Sequence, residues 1–329
     1  MLGKFGWFLA AGNAPRKAFW LARNLAPTGV SYRAIPWEWL RAAKESGGSW
    51  EDLVISGGSL RSRSLGLDCA TSPSLRGPGF GQLREAAALG WSFQAEGQDI
   101  LARGHGLTLR VETAEEIHLF HEIFLQDCYG LVVPGRWRVL DIGGNAGFAA
   151  LAFAARPSVS EVLSFEPFGP TADAYRRNLT LNPALSPKIR LRQVGLSDQD
   201  GEVTADYVPE LRGSMSTAGL GGWRQAGNVR SVPVTLQLRR ASEELRAWIE
   251  HSADPIFAKV DCEGAEYQIL PELAAAGLLT KFKVLVIEWH GDRHESLVKL
   301  LVEAGYSVRV TPLSSDRKVL GLLLAHRLA

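Results

Sequence analysis

From Gly90 onward, apolar and polar positions recur with two different periods. Trp91-Ser92-Phe93-Gln94-Ala95 and Leu107-Thr108-Leu109-Arg110-Val111 alternate residue by residue, as half-buried strands do, with turn residues Gly104-His105-Gly106 between them. Thr113-Ala114-Glu115-Glu116 then has the spacing of a capping box. Ile117, Phe120 and Phe124 follow at helical intervals, which predicts a helix over about 114–127. Beyond it, short β-forming runs at Arg138–Ile142, Glu161–Glu166, Lys188–Val194, Ile256–Asp261 and Val284–His290 are interleaved with helical stretches at Phe148–Ala155, Ala172–Leu181 and Glu295–Ala304, and a further helix starts at Cys262–Glu266. Tyr306–Thr311 and Val319–His326 read as a closing hairpin. Strand and helix in this cadence predict an α/β, doubly wound, mostly parallel seven-stranded sheet that binds ligands at the carboxyl ends of its strands. Glu202–Val208 and Val232–Leu238 are also strand-like, and the long connection between them, with Gly213-Ser214-Met215-Ser216-Thr217 and Gly221-Gly222-Trp223, is a candidate substrate lid.

The first third follows a different pattern. Asn13–Ala26 reads as a helix with Asn13 as N-cap and Pro27 as its stop, and Pro36–Glu45, carrying Trp37 and Trp39, as a second. Ile55–Gly81 is dense in Gly, Ser, Arg and Pro and reads as loop. We therefore expect residues 1–105 to form a helical and loop extension with a small β element, serving substrate or oligomer contacts, and residues 106–329 to form the main domain. A homodimer through the extension stays open.

Composition narrows the function classes. Lys and Arg number 36 against 35 Asp and Glu, and the net charge of +1 argues against a nucleic-acid footprint, although residues 1–110 are mildly basic with 13 cations to 8 acids. Cys69, Cys128 and Cys262 are too widely spaced for a disulfide framework or a thiolate zinc site, which fits a reducing cytoplasm. The apolar run near Met1 is broken by Gly6 and Gly12 and followed by Arg16 and Lys17, unlike a secretory leader. No stretch is long enough to span a bilayer.

The candidate chemistry begins at Asp141-Ile142-Gly143-Gly144-Asn145-Ala146-Gly147, where a strand meets a helix through a glycine turn that brings backbone close to a ligand. Glycines at 143, 144 and 147 miss the i, i+2, i+5 spacing of a dinucleotide fingerprint, which disfavours an NAD(P)-dependent oxidoreductase. An acidic strand end followed by Gly-x-x-x-Gly is similar instead to the first motif of S-adenosylmethionine-dependent methyltransferases. Glu166, before Pro167 at the next strand end, is the expected ribose ligand, since a carboxylate can accept from both hydroxyls. Ser197 and Asp198 would flank the adenine, with a plain turn as the alternative. His118, His121 and Glu122 lack zinc-protease spacing and are not taken as a metal site.

The segment Lys259-Val260-Asp261-Cys262-Glu263-Gly264-Ala265-Glu266 is similar to the Lys-x-Asp-x-Glu-Gly-Ala-Glu signature of the FkbM-family methyltransferases. Glu122, Tyr129, Phe165-Glu166-Pro167, Leu196-Ser197-Asp198 and Glu288-x-His290 extend that resemblance over roughly residues 111–310. It implies a class I (Rossmann-like) methyltransferase fold and S-adenosyl-L-methionine as donor. It also implies O-methylation of a small molecule, sugar or natural product, with Tyr129 near the methionine end of the donor. Thr235-Leu236-Gln237 departs from the family's Thr-Leu-Asp, so no acid is available at Gln237. N-methylation of a peptide or amine stays open, because acceptor choice lies in the loops.

Alternation along a strand puts Lys259 and Asp261 on one face, with Glu263 close by, and the fold implies that Glu288 and His290 lie at the adjacent strand end. With an ordinary pKa near neutrality, His290 is the expected general base, oriented by Glu288 or Asp261. The competing reading is a divalent metal on Asp261, Glu263, Glu288 and His290, as in a metal-dependent O-methyltransferase. A third reading is structural, a Lys259–Asp261 ion pair beside carboxylates at a helix start.

Overall fold

The computed structural model describes residues 52–56, 59–69, 71–75, 79–130, 135–217, 230–313 and 320–327. The helices expected over 13–26 and 36–45 lie outside these residues, as do Trp223 and most of the expected lid. The chain divides into two compact units, Met1–Gln126 and Asp127–Ala329.

In the first unit, β1 (Leu53–Ser56) and β2 (Ser59–Ser62) pair antiparallel within the stretch expected to be loop. Leu60, Leu65, Leu67 and Leu75 are buried there, so spaced leucines fold a Gly- and Ser-rich segment that carries no clear period. Helix α1 (Gly79–Ala88) precedes an antiparallel sheet of β3 (Ser92–Glu96), β4 (Asp99–Gly104) and β5 (Leu107–Val111) in that order. The central strand β4 has no alternation to find, because Ile100, Leu101 and Ala102 are all buried. Helix α2 (Ala114–Phe124) starts at the expected capping box, with Glu116 N donating to Thr113 Oγ1 at 3.1 Å and the Glu116 carboxylate accepting from Thr113 N. Trp91 meets Phe120 and Phe124 edge-on at 4.7 and 5.0 Å, so α2 belongs to this sheet. A boundary at residue 105 would cut the β4–β5 hairpin, and the division falls after Gln126 instead.

The second unit opens with β6 (Trp137–Ile142), α3 (Phe148–Ala154), β7 (Val159–Phe165), α4 (Gly169–Leu181) and β8 (Ile189–Arg192). After β9 (Gly195–Ser197), β10 (Gly201–Tyr207) and β11 (Val232–Arg240) come α5 (Ala241–Glu250), β12 (Ile256–Val260), α6 (Glu266–Ala275), β13 (Phe282–His290), α7 (His294–Glu303), β14 (Ser307–Pro312) and β15 (Leu320–His326). The main sheet has seven strands in the order β14-β15-β13-β12-β6-β7-β8. All pairings are parallel except those of β15 with β13 and β14. This is the α/β, class I methyltransferase arrangement expected from the sequence. No helix of the described residues is long and apolar enough to cross a membrane.

β6 is buried at all six positions, as a central strand covered on both faces must be. Its one arginine, Arg138, is accommodated by stacking on Trp248 (4.0 Å), donating to the Trp248 and Ile249 carbonyls and pairing with Glu161 at 2.5 Å. The strands read at 202–208 and 232–238 do not join the main sheet. β10 and β11 form an antiparallel arm that pairs through β11 with β9 in a separate three-stranded sheet, over a small core of Phe168, Tyr207, Val208, Met215 and Leu236. After β6 the chain builds outward through β7 and β8, and then returns to the opposite side with β12 and β13. The crevice at the carboxyl ends of β6 and β12 is therefore the topological switch point, where open α/β sheets bind ligands.

Candidate active site

The β6–α3 turn is shaped by what lies against it. Gly143 has φ +85°, and a Cβ there would overlap the Asp261 carbonyl oxygen; Gly147, also at φ +85°, would meet the Tyr175 ring at 2.8 Å. The turn can thus run against β12 and α4 only if these positions lack side chains. Asn145 takes a left-handed φ of +45°, and its backbone N–H donates to Glu166 Oε2 at 2.9 Å. Glu166 Oε1 accepts from Phe168 N at 2.9 Å. The Glu166 side chain is only 6% exposed, and burial pushes its carboxyl up to about 8, opposed by those two backbone N–H groups. Pro167 sits beside Gly195, at the start of β9.

Parallel register places Ser164, Asp141 and Lys259 in one row across β7, β6 and β12. Ser164 Oγ donates to Asp141 Oδ2 at 2.7 Å, and Lys259 Nζ lies 3.2 Å from Asp141 Oδ1. The ammonium also donates to the Gly143 carbonyl and sits 3.5 Å from Asp261 Oδ2, which accepts from Tyr129 OH at 3.0 Å. Burial opposes the Lys259 charge, but Asp141 and Asp261 outweigh it and hold the pKa above its ordinary value. Lys259 therefore ties the turn, the end of β6 and the end of β12 together as a buried cation.

A second group surrounds His290. Its Nδ1 lies 3.4 Å from Glu266 Oε1, and its Nε2 lies 3.6 Å from Glu263 Oε1 and 3.9 Å from Glu288 Oε1. Burial disfavours the imidazolium, yet Glu266, Glu263 and Asp261 overcome it and raise His290 to about 10. These acids favour the imidazolium, whereas a general base needs the neutral ring. Asp261, Glu288 and His290 each bring a ligand atom to within 4.8 Å of the others, so three of the four candidate metal ligands converge; Glu263 stands outside that set.

Glu263 is itself held in the left-handed region, at φ +53°. Its carbonyl accepts from Ser216 Oγ at 2.5 Å, while Gly264 N donates to Glu266 Oε2 at 2.8 Å. Ser197 is buried in β9, not in a plain turn, and donates to Asp198 Oδ1 at 3.1 Å and Gln268 Oε1 at 3.5 Å. Of the histidines on α2, His121 pairs with Glu85 at 2.9 Å and His118 with Glu122 at 3.1 Å, so their rings go to different partners.

A family model described as the methyltransferase FkbM domain matches residues 141–308, from the buried Asp141 through the whole of the β12–α6 segment. The chain belongs to the FkbM methyltransferase family. Methyltransferase sdnD of Sordaria araneosa is 29% identical over 214 residues, covering 59% of this chain and 82% of that protein. Methyltransferase 1 of Beauveria bassiana is 25% identical over 167 residues, or 47% of this chain and 66% of the other. A 139-residue stretch is 33% identical to part of the AMB antimetabolite synthetase AmbE of Pseudomonas aeruginosa, covering 40% of this chain and only 6% of that one. The crystal structure of a methyltransferase FkbM from Methylobacillus flagellatus aligns with a TM-score of 0.41 at 14% identity, over 63% of this chain and 48% of that one.

Within this FkbM domain, three polar residues had not been singled out as site residues. Glu266 had a signal, as the last acid of the Lys-x-Asp-x-Glu-Gly-Ala-Glu segment. Ser164 follows once β6 and β7 are set in register. Tyr175, which backs the glycine turn, follows from no pattern in the sequence.

Proposed function

We propose that this chain transfers the methyl group of S-adenosylmethionine to a hydroxyl of a small molecule. One observation carries the reading: a buried strand-end carboxylate is braced against the glycine turn, and a mostly buried group of carboxylates surrounds His290 at the ends of strands of the same sheet. The residues fit the donor. An ionised carboxylate offers about four acceptor positions, and Glu166 uses two of them on backbone N–H groups, leaving one on each oxygen for the two ribose hydroxyls. In this reading Asp141 and the Gly143, Gly144, Asn145 and Gly147 turn, with Tyr129, border the methionine end, and Pro167, Ser197 and Asp198 border the adenine. When bound, the donor supplies an electrophilic methyl on a sulfonium.

The residues on the acceptor side hold the hydroxyl in line and receive its proton. A neutral hydroxyl becomes strongly acidic as its oxygen bonds to the methyl carbon, so a carboxylate from Asp261, Glu263 or Glu288 is a sufficient acceptor. His290, as imidazolium, keeps these acids together without neutralising all of them. Lys259 is buried beneath and fixes Asp261. The likeness to part of an antimetabolite synthetase supports a small-molecule acceptor.

The convergence of Asp261, Glu288 and His290 favours a second reading, in which these three hold a divalent cation. Such an ion would lower the pKa of the acceptor hydroxyl. The test is incubation with S-adenosylmethionine and a panel of hydroxyl- and amine-bearing small molecules, with and without chelator, read by intact mass and by the methyl resonance of the product. An O-methyl product formed despite chelation is the expected result. An N-methyl product overturns the hydroxyl reading, and loss of activity on chelation replaces it with the cation reading.

A further inference from the structure

Glu266 is fully buried at the first turn of α6 and has no role in the chemistry described above. Its two oxygens reach two separate segments. Oε1 accepts from the backbone N–H of His290, the last residue of β13, at 2.9 Å, and Oε2 accepts from Gly264 N at 2.8 Å. Oε1 also faces the His290 ring at 3.4 Å, and Oε2 accepts from Cys262 Sγ at 3.6 Å. One side chain therefore fastens the end of β13 to the 262–264 turn, in which Glu263 sits at a left-handed φ that a non-glycine residue adopts only when its surroundings impose it. Glu263 and His290 face each other at 3.6 Å across this fastening.

We infer that Glu266 is a positioning residue for methyl transfer, a buried two-oxygen clip that sets Glu263 and His290 at the point where the methyl group is handed over. The inference rests on the methyltransferase reading of this crevice. The clip requires a carboxylate. Both backbone groups it holds are donors, and a glutamine would turn its own NH₂ toward one of them. Among the described residues, the hydrogen bonds of Glu266 go to residues 262, 264 and 290 and none goes to Glu166 or the glycine turn, so donor binding is expected to survive its substitution.

The test compares two probes on wild type, Glu266→Gln and Glu266→Asp: S-adenosylhomocysteine, which has no methyl, and sinefungin, which carries an amine where the donor carries its methyl. A purely structural loss weakens both probes alike, whereas a displaced Glu263–His290 pair changes only what surrounds the amine. The expected result is that Glu266→Gln binds S-adenosylhomocysteine within about threefold of wild type while the ratio of sinefungin affinity to S-adenosylhomocysteine affinity moves by about tenfold. Glu266→Asp keeps both acceptor oxygens one methylene short and is expected to fall between the two; it carries the test alone if Glu266→Gln does not fold. An unchanged ratio in a folded variant overturns the inference. Wild-type protein that binds neither probe overturns the methyltransferase reading itself and this inference with it.

Discussion

On the β6 side of the crevice, the polar groups are buried and committed to neighbours: Asp141 to Ser164 and Lys259, and Glu166 to two backbone N–H groups, while the glycines lie where a Cβ would strike backbone or ring. On the β13 side, Asp261, Glu263, Glu288 and His290 keep side-chain exposures of 12–22% and crowd like charges around one cation. The first side is built as part of the core, and the second is built at the core's expense. Substitutions on the first side should therefore cost stability and donor affinity together, and substitutions on the second should cost turnover alone.

The largest effect expected is that of Gly143→Ala. A Cβ overlapping the Asp261 carbonyl oxygen at φ +85° has no relaxed position, and a loss of about 3 kcal/mol or more is expected, read as a lower thermal midpoint and lost S-adenosylhomocysteine binding. A variant with wild-type midpoint and affinity would break the contrast between the two sides. Lys259→Met comes next. It leaves Asp141 and Asp261 without their shared cation, a change of the kind that costs about 3–5 kcal/mol when one partner of a buried pair is removed. Adding Asp141→Asn should recover part of that loss, as a double-mutant cycle would show.

Across the crevice, Glu263→Gln and Glu288→Gln should change stability by no more than about 0.5 kcal/mol. Turnover, once an acceptor is in hand, should fall by about 10²–10⁴ for whichever of the two receives the proton. A matching fall in thermal midpoint would show that this side is structural as well.

A pH dependence follows from the same burial. Glu166 is raised in the folded state from an ordinary value of 4.5 to about 8, so the native protein binds the extra proton between those values and stability falls as pH rises through that window. Ribose hydroxyls donating to the carboxylate favour its ionised form, so S-adenosylhomocysteine affinity should rise with pH toward about 8, with proton release on binding. Glu166→Gln should flatten the stability slope, which denaturant midpoints across the window would reveal.

The same contrast explains what the sequence disclosed. The alternation of strands and helices and the glycine turn follow from period and glycine spacing, the place of Glu166 at a strand end follows from the run before it, and the adjacency of β12 and β13 follows from the fold that the resemblance implies. The state of His290 was not legible, because it depends on three acids from other positions converging on a partly buried ring. Nor was the fate of the strands at 201–207 and 232–240, since alternation identifies a strand but not the sheet it joins. Strand β4 was missed because a strand buried on both faces has no period of two.

The most direct test of the account is calorimetric titration of S-adenosylhomocysteine into wild type, Glu166→Ala and Glu288→Gln, with folding of each confirmed by its thermal transition. The account predicts tight binding by wild type, a loss of about 100-fold in Glu166→Ala from the missing charge-assisted bonds, and a change of no more than about threefold in Glu288→Gln. Equal affinities for wild type and a folded Glu166→Ala would contradict it.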